Sequence, residues 1–372
     1  MRVLITNTRI EGRGGAESFI KDLARGLQCR GHSVLAYSSD PAQRERLLEN
    51  DVIPVATDLE GLPFRPDVIH AQHHLDAMTA ITALPGVPAL YHCHGAVWRE
   101  CAPKHPRIYK YLAVTPTLAD RLVVESNIDP ADIAVVQNGV DLARFTTVRP
   151  PPTRLTRALF FNSRHEQNSD TVAAVQEAVT RRGLTLDFVG MGFGVMMLAP
   201  ERELPAYDLV FASGRSAIEA LACGCAVVVL GRTSCGKLVR PANFDRLRQA
   251  NFAIAVNSPP PSAAAIAADL DSFSTAECGA VTNRLRAEAS FQQTVDTLLA
   301  HYEAVCARHR AAAPDLAAEA RATARYLRRI VPLIKLTDRM LDGQWSSPTR
   351  ASSFDELRAE LARLQQRIEK AQ

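Results

Sequence analysis

The chain has 372 residues, 47% hydrophobic and 22% charged, a composition that excludes a disordered chain and gives about two globular domains. A formal net charge of +3 is too small to argue for nucleic acid. The eight cysteines lack the regular spacing of a disulfide framework, and no apolar run approaches the ~18 residues that a membrane-spanning helix needs.

The first 145 or so residues alternate strand and helix patterns, the signature of a parallel sheet with crossovers. Met1-Arg-Val-Leu-Ile5 begins a strand at once, so no secretory signal is expected, and the cysteines fit a reducing, cytoplasmic compartment. Expected strands are Val3–Thr6, Ser33–Ser38, Val52–Val55, Val68–Ala71, Ala89–His94, Tyr111–Val114 and Ile133–Gln137, with a helix over Ala16–Gln28. Arg149-Pro-Pro-Pro152 is a stiff linker. A second alternation follows, with strands at Ala158–Asn162, Leu184–Val189, Leu209–Phe211, Ala226–Leu230 and Phe252–Val256, and a helix over Thr171–Thr180. Helices dominate after Ser258-Pro-Pro-Pro261. The expected division is a first domain over 1–148, a second over 153–310 and a helical tail over 311–372.

The tail divides in two. Asp315–Arg339 is basic and amphipathic, interrupted by Pro332; it can lie on an anionic membrane or pack back on the body. Ser353-Phe-Asp-Glu356 is a capping box, and Phe354, Leu357, Leu361, Leu364 and Ile368 step by 3 and 4. That seam can pair with a second copy or dock on its own chain.

The chemistry concentrates at strand ends. Phe211-Ala-Ser-Gly-Arg-Ser-Ala-Ile-Glu219 reads as strand, tight turn and helix start, and Gly224 stops that helix before the apolar strand Ala226–Leu230. A helix N-terminus aimed at a sheet's carboxyl edge suits an anion, and Arg215 adds a full charge. Glu219, one turn in, can accept hydrogen bonds from a sugar's vicinal hydroxyls. Gly12-Arg-Gly-Gly-Ala-Glu17 follows the first strand and permits close backbone approach. His94 ends a buried strand and is placed to reach the crevice between two sheets. Gln137-Asn-Gly-Val-Asp141 reads as a turn before the linker, and Gly190-Met-Gly-Phe-Gly194 ends a strand of the second sheet. His70, His73, His74, His92, His94 and His105 are dense near strands four and five, yet no His-Glu-x-x-His or Cys-x-x-Cys spacing occurs, so no metal site is expected.

In this order the motifs resemble the GT-B glycosyltransferases, in particular the large retaining group of family 4. The matching residues are Gly14-Gly15-Ala16-Glu17, His94-Gly95, Asn138-Gly139-Val140-Asp141 with Phe145, Gly190 with Gly192, and Glu219-Ala-Leu-Ala-Cys-Gly224. The resemblance implies two Rossmann-like doubly wound α/β domains facing a cleft, with a nucleotide-sugar donor and a glycan, lipid-linked or small-molecule acceptor. Gly15 would let the ligand approach, His94 would contact the transferred sugar and Glu219 would hold the ribose. Gly214, Arg215 and Ser216 would face the pyrophosphate, and Arg164 matches an arginine usual after the second domain's first strand. Cationic side chains and a helix N-terminus would neutralise the leaving diphosphate without a cofactor or metal.

Three departures stand against this pattern. Phe211 occupies the place of the first of two glutamates usually eight positions apart. The lysine usual a few residues after the Arg164 position is missing, with Lys237 the available substitute. Only about 14 residues separate Gly194 from the Leu209 strand. The alternatives are a nucleotide-sugar epimerase or hydrolase on the same fold and a non-catalytic glycan- or nucleotide-binding protein.

Overall fold

A computed structural model describes residues 1–10, 14–40, 53–162, 165, 167–231, 234–253 and 262–345, the last ten of these as backbone alone. Arg164, most of the expected strand Phe252–Val256 and the seam from Phe354 to Ile368 lie outside the described residues.

Strand β1 (Arg2–Thr6) carries Val3, Leu4 and Ile5, each with no exposed surface, as a strand covered on both faces must. It pairs in parallel with β2 (Ser33–Tyr37) on one side and β4 (Val68–Ala71) on the other. With β3 (Val55–Ala56), β5 (Ala89–Cys93), β6 (Ile108–Ala113) and β7 (Ile133–Val135) it forms a seven-stranded sheet in the order β3-β2-β1-β4-β5-β6-β7. The chain reverses direction of travel across the sheet between β1 and β4, and a crevice opens there at the carboxyl ends.

The second sheet contains β8 (Arg157–Phe161), β9 (Thr185–Val189), β10 (Leu209–Ala212), β11 (Ala226–Leu230) and β12 (Cys235–Leu238), in the order β12-β11-β10-β8-β9. β12 runs antiparallel to β11 and is not among the expected strands. Phe252, expected to open a strand, is a turn residue at φ 49°, buried against the ring of Phe244. The fold is thus two α/β sheets with C-terminal helices.

The proline linker does not hang free. The Arg149 N–H donates to the Cys223 carbonyl at 3.0 Å, its guanidinium pairs with Asp208 at 2.5 Å, and the Thr275 hydroxyl donates to the Pro152 carbonyl at 2.8 Å. Gly224, at φ 88°, faces Arg149 so closely that an added Cβ would stand 2.7 Å from its carbonyl oxygen. Glycine therefore both stops the preceding helix and admits the linker.

The helix Phe291–Ala311 leaves the second sheet and packs on the first. Phe291, Val295, Leu298, Tyr302 and Val305, spaced 4, 3, 4, 3, share one buried cluster with Phe19, Leu23 and Leu27. Gly26 permits the close helix crossing, since a Cβ there would lie 2.6 Å from a Val295 methyl. The helix Leu316–Trp345 runs through Pro332 and docks on the same domain through Glu319 to Arg107 at 2.8 Å and Tyr326 to His74 at 2.8 Å. All eight cysteines are free, and most are buried as small apolar groups.

Candidate active site

The two sheets face each other through the helices that follow β1 and β10. Gly14 is the N-cap of the helix Gly15–Gln28. A Cβ on Gly15 would stand 3.8 Å from Cδ of Arg215, the first residue of the helix Arg215–Ala222. The glycine loop and the second-domain helix start, separated by about 200 residues of chain, therefore meet across the crevice.

Gly214 caps that helix at φ 59°, ψ −132°, a conformation closed to side-chain-bearing residues. Its N–H donates to the Phe252 carbonyl at 2.9 Å, so it is not the open anion donor expected of it. Ser213 holds the turn by accepting from the Asn162 amide at 3.1 Å. Arg215 is buried and pairs with Asp22 of the first domain and, at 3.4 Å, with Glu219. Arg144 completes the cluster, 3.6 Å from Asp22, 3.8 Å from Glu219 and 3.9 Å from Glu201.

Burial works against the charge on Arg215, but Asp22 and Glu219 more than offset it and hold the guanidinium above its ordinary range. Burial raises the Glu219 carboxyl, with Arg215 and Arg144 opposing. Three buried guanidinium N–H groups, Arg215 Nε, Arg215 Nη1 and Arg144 Nε, have no hydrogen-bond partner, nor does the buried Asp22 Oδ1. Such donors are costly to leave unmet, at about 1–3 kcal/mol each, and they lie at a helix N-terminus. Asp22 and Arg144 escaped sequence reasoning. Their helix and turn were visible, but only the approach of the domains joins them to Arg215.

On the first-domain side, the His94 N–H donates to Glu100 Oε2 at 3.0 Å, and its ring packs 4.5 Å from Phe19 and 4.1 Å from His92, centroid to centroid. Burial, with His73 and Arg215 adding and Glu100 opposing, lowers its pKa to about 4, so the imidazole is neutral at pH 7. His94 Nε2 is buried without a partner. His73 adopts φ 52°, ψ 111°, a strained conformation for a non-glycine residue. Its Nδ1 accepts from the Thr8 N–H at 3.2 Å, and its Nε2 lies 3.5 Å from Glu100. This network fixes Glu100, which in turn fixes the backbone of His94. His70, His92 and His94 also converge, with one ring nitrogen of each within 4.8 Å of the others. Sequence spacing does not reveal this cluster, because the three come together through β4–β5 pairing.

The remaining expected residues divide. Asn138 is buried, its carbonyl accepts from Arg248 at 2.6 Å, and its Oδ1 has no partner. Gly139 and Val140 thread the chain past residues 289–291: the Val140 N–H donates to Ala289 O at 2.8 Å, and the Phe291 N–H donates to Val140 O at 2.9 Å. That turn thus joins the two domains as well as bordering the crevice. Gly190, at φ 149°, follows β9, and Gly192 lies in the single turn of 3-10 helix after it. Ser216 is half-buried in the first turn of the Arg215 helix. Lys237 is exposed on the edge strand β12, and no ion pair joins it to the Arg215 cluster. Phe211 is wholly buried in the β10 core, which removes it from any contact with a sugar.

Residues 13–144 match Glycosyltransferase Family 4. A glycosyltransferase from Rickettsia africae superposes with a TM-score of 0.56 at 15% identity, over 82% of this chain and 98% of that one. Anabaena HepE, solved with UDP-glucose, superposes with a TM-score of 0.55 at 16% identity, over 82% and 99% of the two chains. At such identities these likenesses establish the fold. No curated protein matches the sequence. The family match thus covers residues 13–144, and the likeness to solved glycosyltransferases gives a GT-B fold across both sheets.

Proposed function

We infer that the chain moves a glycosyl group from a nucleoside diphosphate to an acceptor hydroxyl, with retention of anomeric configuration. The donor sits on the second domain (153–310) and the acceptor on the first (1–148). One observation carries this reading: the buried, unpartnered N–H groups of Arg215 and Arg144 beside the start of the helix Arg215–Ala222. A diphosphate offers oxygens at the spacing and charge such donors need, and its charge grows as the sugar departs. Arginines take the part a metal plays elsewhere, so the donor needs no ion of its own. Glu219 accepts from the ribose hydroxyls, and neutral His94 hydrogen-bonds the transferred sugar.

The acceptor is a glycan, a lipid-linked sugar or a small molecule. A lipid-linked acceptor at the cytoplasmic face of a membrane suits the tail helix, whose Leu327, Val331 and Ile334 are exposed next to basic residues. Among the described residues no helix is long and apolar enough to cross a membrane.

Calorimetry with uridine and UDP, on wild type and Arg215→Ala, tests the reading. UDP affinity falls by about 1.5–3 kcal/mol in the variant while uridine affinity holds. Equal losses for both ligands would make Arg215 a structural residue and remove the basis of the proposal. Release of UDP from a UDP-sugar only when acceptor is added, with the product anomer read by NMR, tests transfer and retention.

A further inference from the structure

We propose that His70, His92 and His94 form a binding site for a zinc-class divalent cation at the carboxyl ends of β4 and β5. His70 lies on β4, and His92 lies on the neighbouring parallel strand β5, both with no exposed surface. His94 follows β5 one residue beyond its end. One ring nitrogen from each lies within 4.8 Å of the other two.

The geometry fits coordination better than hydrogen bonding. His70 Nε2 and His92 Nδ1 are 3.4 Å apart. That is long for a hydrogen bond, which closes at about 2.7–3.2 Å. It equals the edge of a tetrahedron whose metal–nitrogen bonds are about 2.0–2.1 Å. The Tyr302 hydroxyl lies 2.7 Å from His70 Nδ1. Zinc-bound imidazoles are commonly oriented in this way, with the second nitrogen held by an outer partner. Independently, His94 Nε2 is a buried polar atom with no partner, and a ring nitrogen of His94 lies within 4.8 Å of those of His70 and His92.

The donor set selects the ion. Three imidazoles favour zinc, cobalt or copper over magnesium and calcium, which take oxygen ligands. Cys93 does not compete, since its thiol is turned to the Gly95 carbonyl at 3.3 Å. The Phe19 ring packs against all three imidazoles and covers the site from one side. Glu100, bonded to the His94 backbone, supplies a nearby negative charge. The donor reading is carried by Arg215 and Arg144, so the site does not depend on it.

Untagged, chelator-stripped protein is titrated with Co(II), and zinc affinity is measured by competition with a chromophoric chelator. The wild type takes up about one ion per chain and develops the intense visible bands of tetrahedral cobalt. Tyr302→Phe removes only the outer hydroxyl and weakens zinc by about 10–100-fold. His92→Gln abolishes the cobalt spectrum. Absence of the bands in wild type, or zinc affinity unchanged in Tyr302→Phe, overturns the proposal even if His92→Gln fails to fold. UDP affinity of the stripped wild type is measured alongside, and its persistence separates failure here from failure of the donor reading.

Discussion

Asp22 and Arg215 share a buried ion pair that ties the first domain's glycine-loop helix to the start of the second domain's helix. Asp22 thereby holds one guanidinium nitrogen of the residue assigned to the donor diphosphate, while two others lack partners. A carboxylate and a diphosphate on one guanidinium repel each other. Asp22→Asn therefore tightens UDP binding several-fold and leaves uridine binding unchanged. The same change lowers stability by about 1–3 kcal/mol, because a charge-assisted bond is lost from a buried site. Calorimetry and urea unfolding read the two effects. UDP and uridine weakening together would show that Asp22 holds the crevice open instead of competing for Arg215.

Gly139 is a packing requirement. A Cβ there would lie 2.9 Å from Ala289 O, Phe291 N and Phe291 Cα, all backbone atoms that cannot swing away. Gly139→Ala must push residues 289–291 off Val140 and strain the join between the domains, at a cost of about 1–3 kcal/mol. The expected signature is a lower urea midpoint with weakened UDP affinity, since the crevice is built on that join. A variant as stable as wild type would mean that the turn relaxes freely and that its glycine serves the ligand alone.

The parallel strands of both sheets were legible because buried parallel strands are near-continuous apolar runs, as in Ala226–Leu230 and Val68–Ala71. Gly14, Arg215 and Glu219 were legible because a glycine turn before a helix is a local signal. What escaped was long-range. Asp22 reads as an ordinary helix-face acid until the domains meet. The 4, 3, 4, 3 stripe from Phe291 to Val305 was present in the sequence, but nothing in it says which sheet it covers. The histidine cluster joins residues 70 and 92 across a strand pair whose register, Ala71 opposite Tyr91, only folding sets. β12 was missed because Cys235-Gly-Lys-Leu238 is short and carries a glycine, both weak strand signals.

Acid should weaken this protein from an unusually high pH. Burial lowers the pKa of His70 to about 3 and, as the first cause, those of His74, His94 and His105 to about 4. Each is neutral when folded but takes a proton near pH 6.5 when unfolded. The unfolded chain then binds more protons, so stability is complete above about pH 6.5 and falls as pH drops toward 4. One such histidine contributes at most about 1.4 kcal/mol per pH unit in that window. In chelator, the urea midpoint should drop steeply between pH 7 and pH 5 and flatten below the folded values. A midpoint constant over that range would mean that these imidazoles are hydrated enough to charge in place.

The tail helix Leu316–Trp345 presents two faces. Glu319, Ala322, Tyr326 and Ile330 turn toward the body, where Glu319 meets Arg107 and Tyr326 meets His74. Leu327, Val331 and Ile334, spaced 4 and 3, turn outward, with Arg321, Arg325 and Arg328 exposed around them. Apolar residues within a basic rim match an anionic bilayer surface, where each arginine adds about 1 kcal/mol. The protein should sediment with vesicles containing phosphatidylserine at low salt and be released by high salt. Leu327→Ser with Ile334→Ser should abolish sedimentation while leaving the melting temperature unchanged, because neither side chain is part of the docked face. Undiminished sedimentation of the double variant would assign the contact to another surface, and a fall in melting temperature would show that the outward stripe is covered by the chain itself.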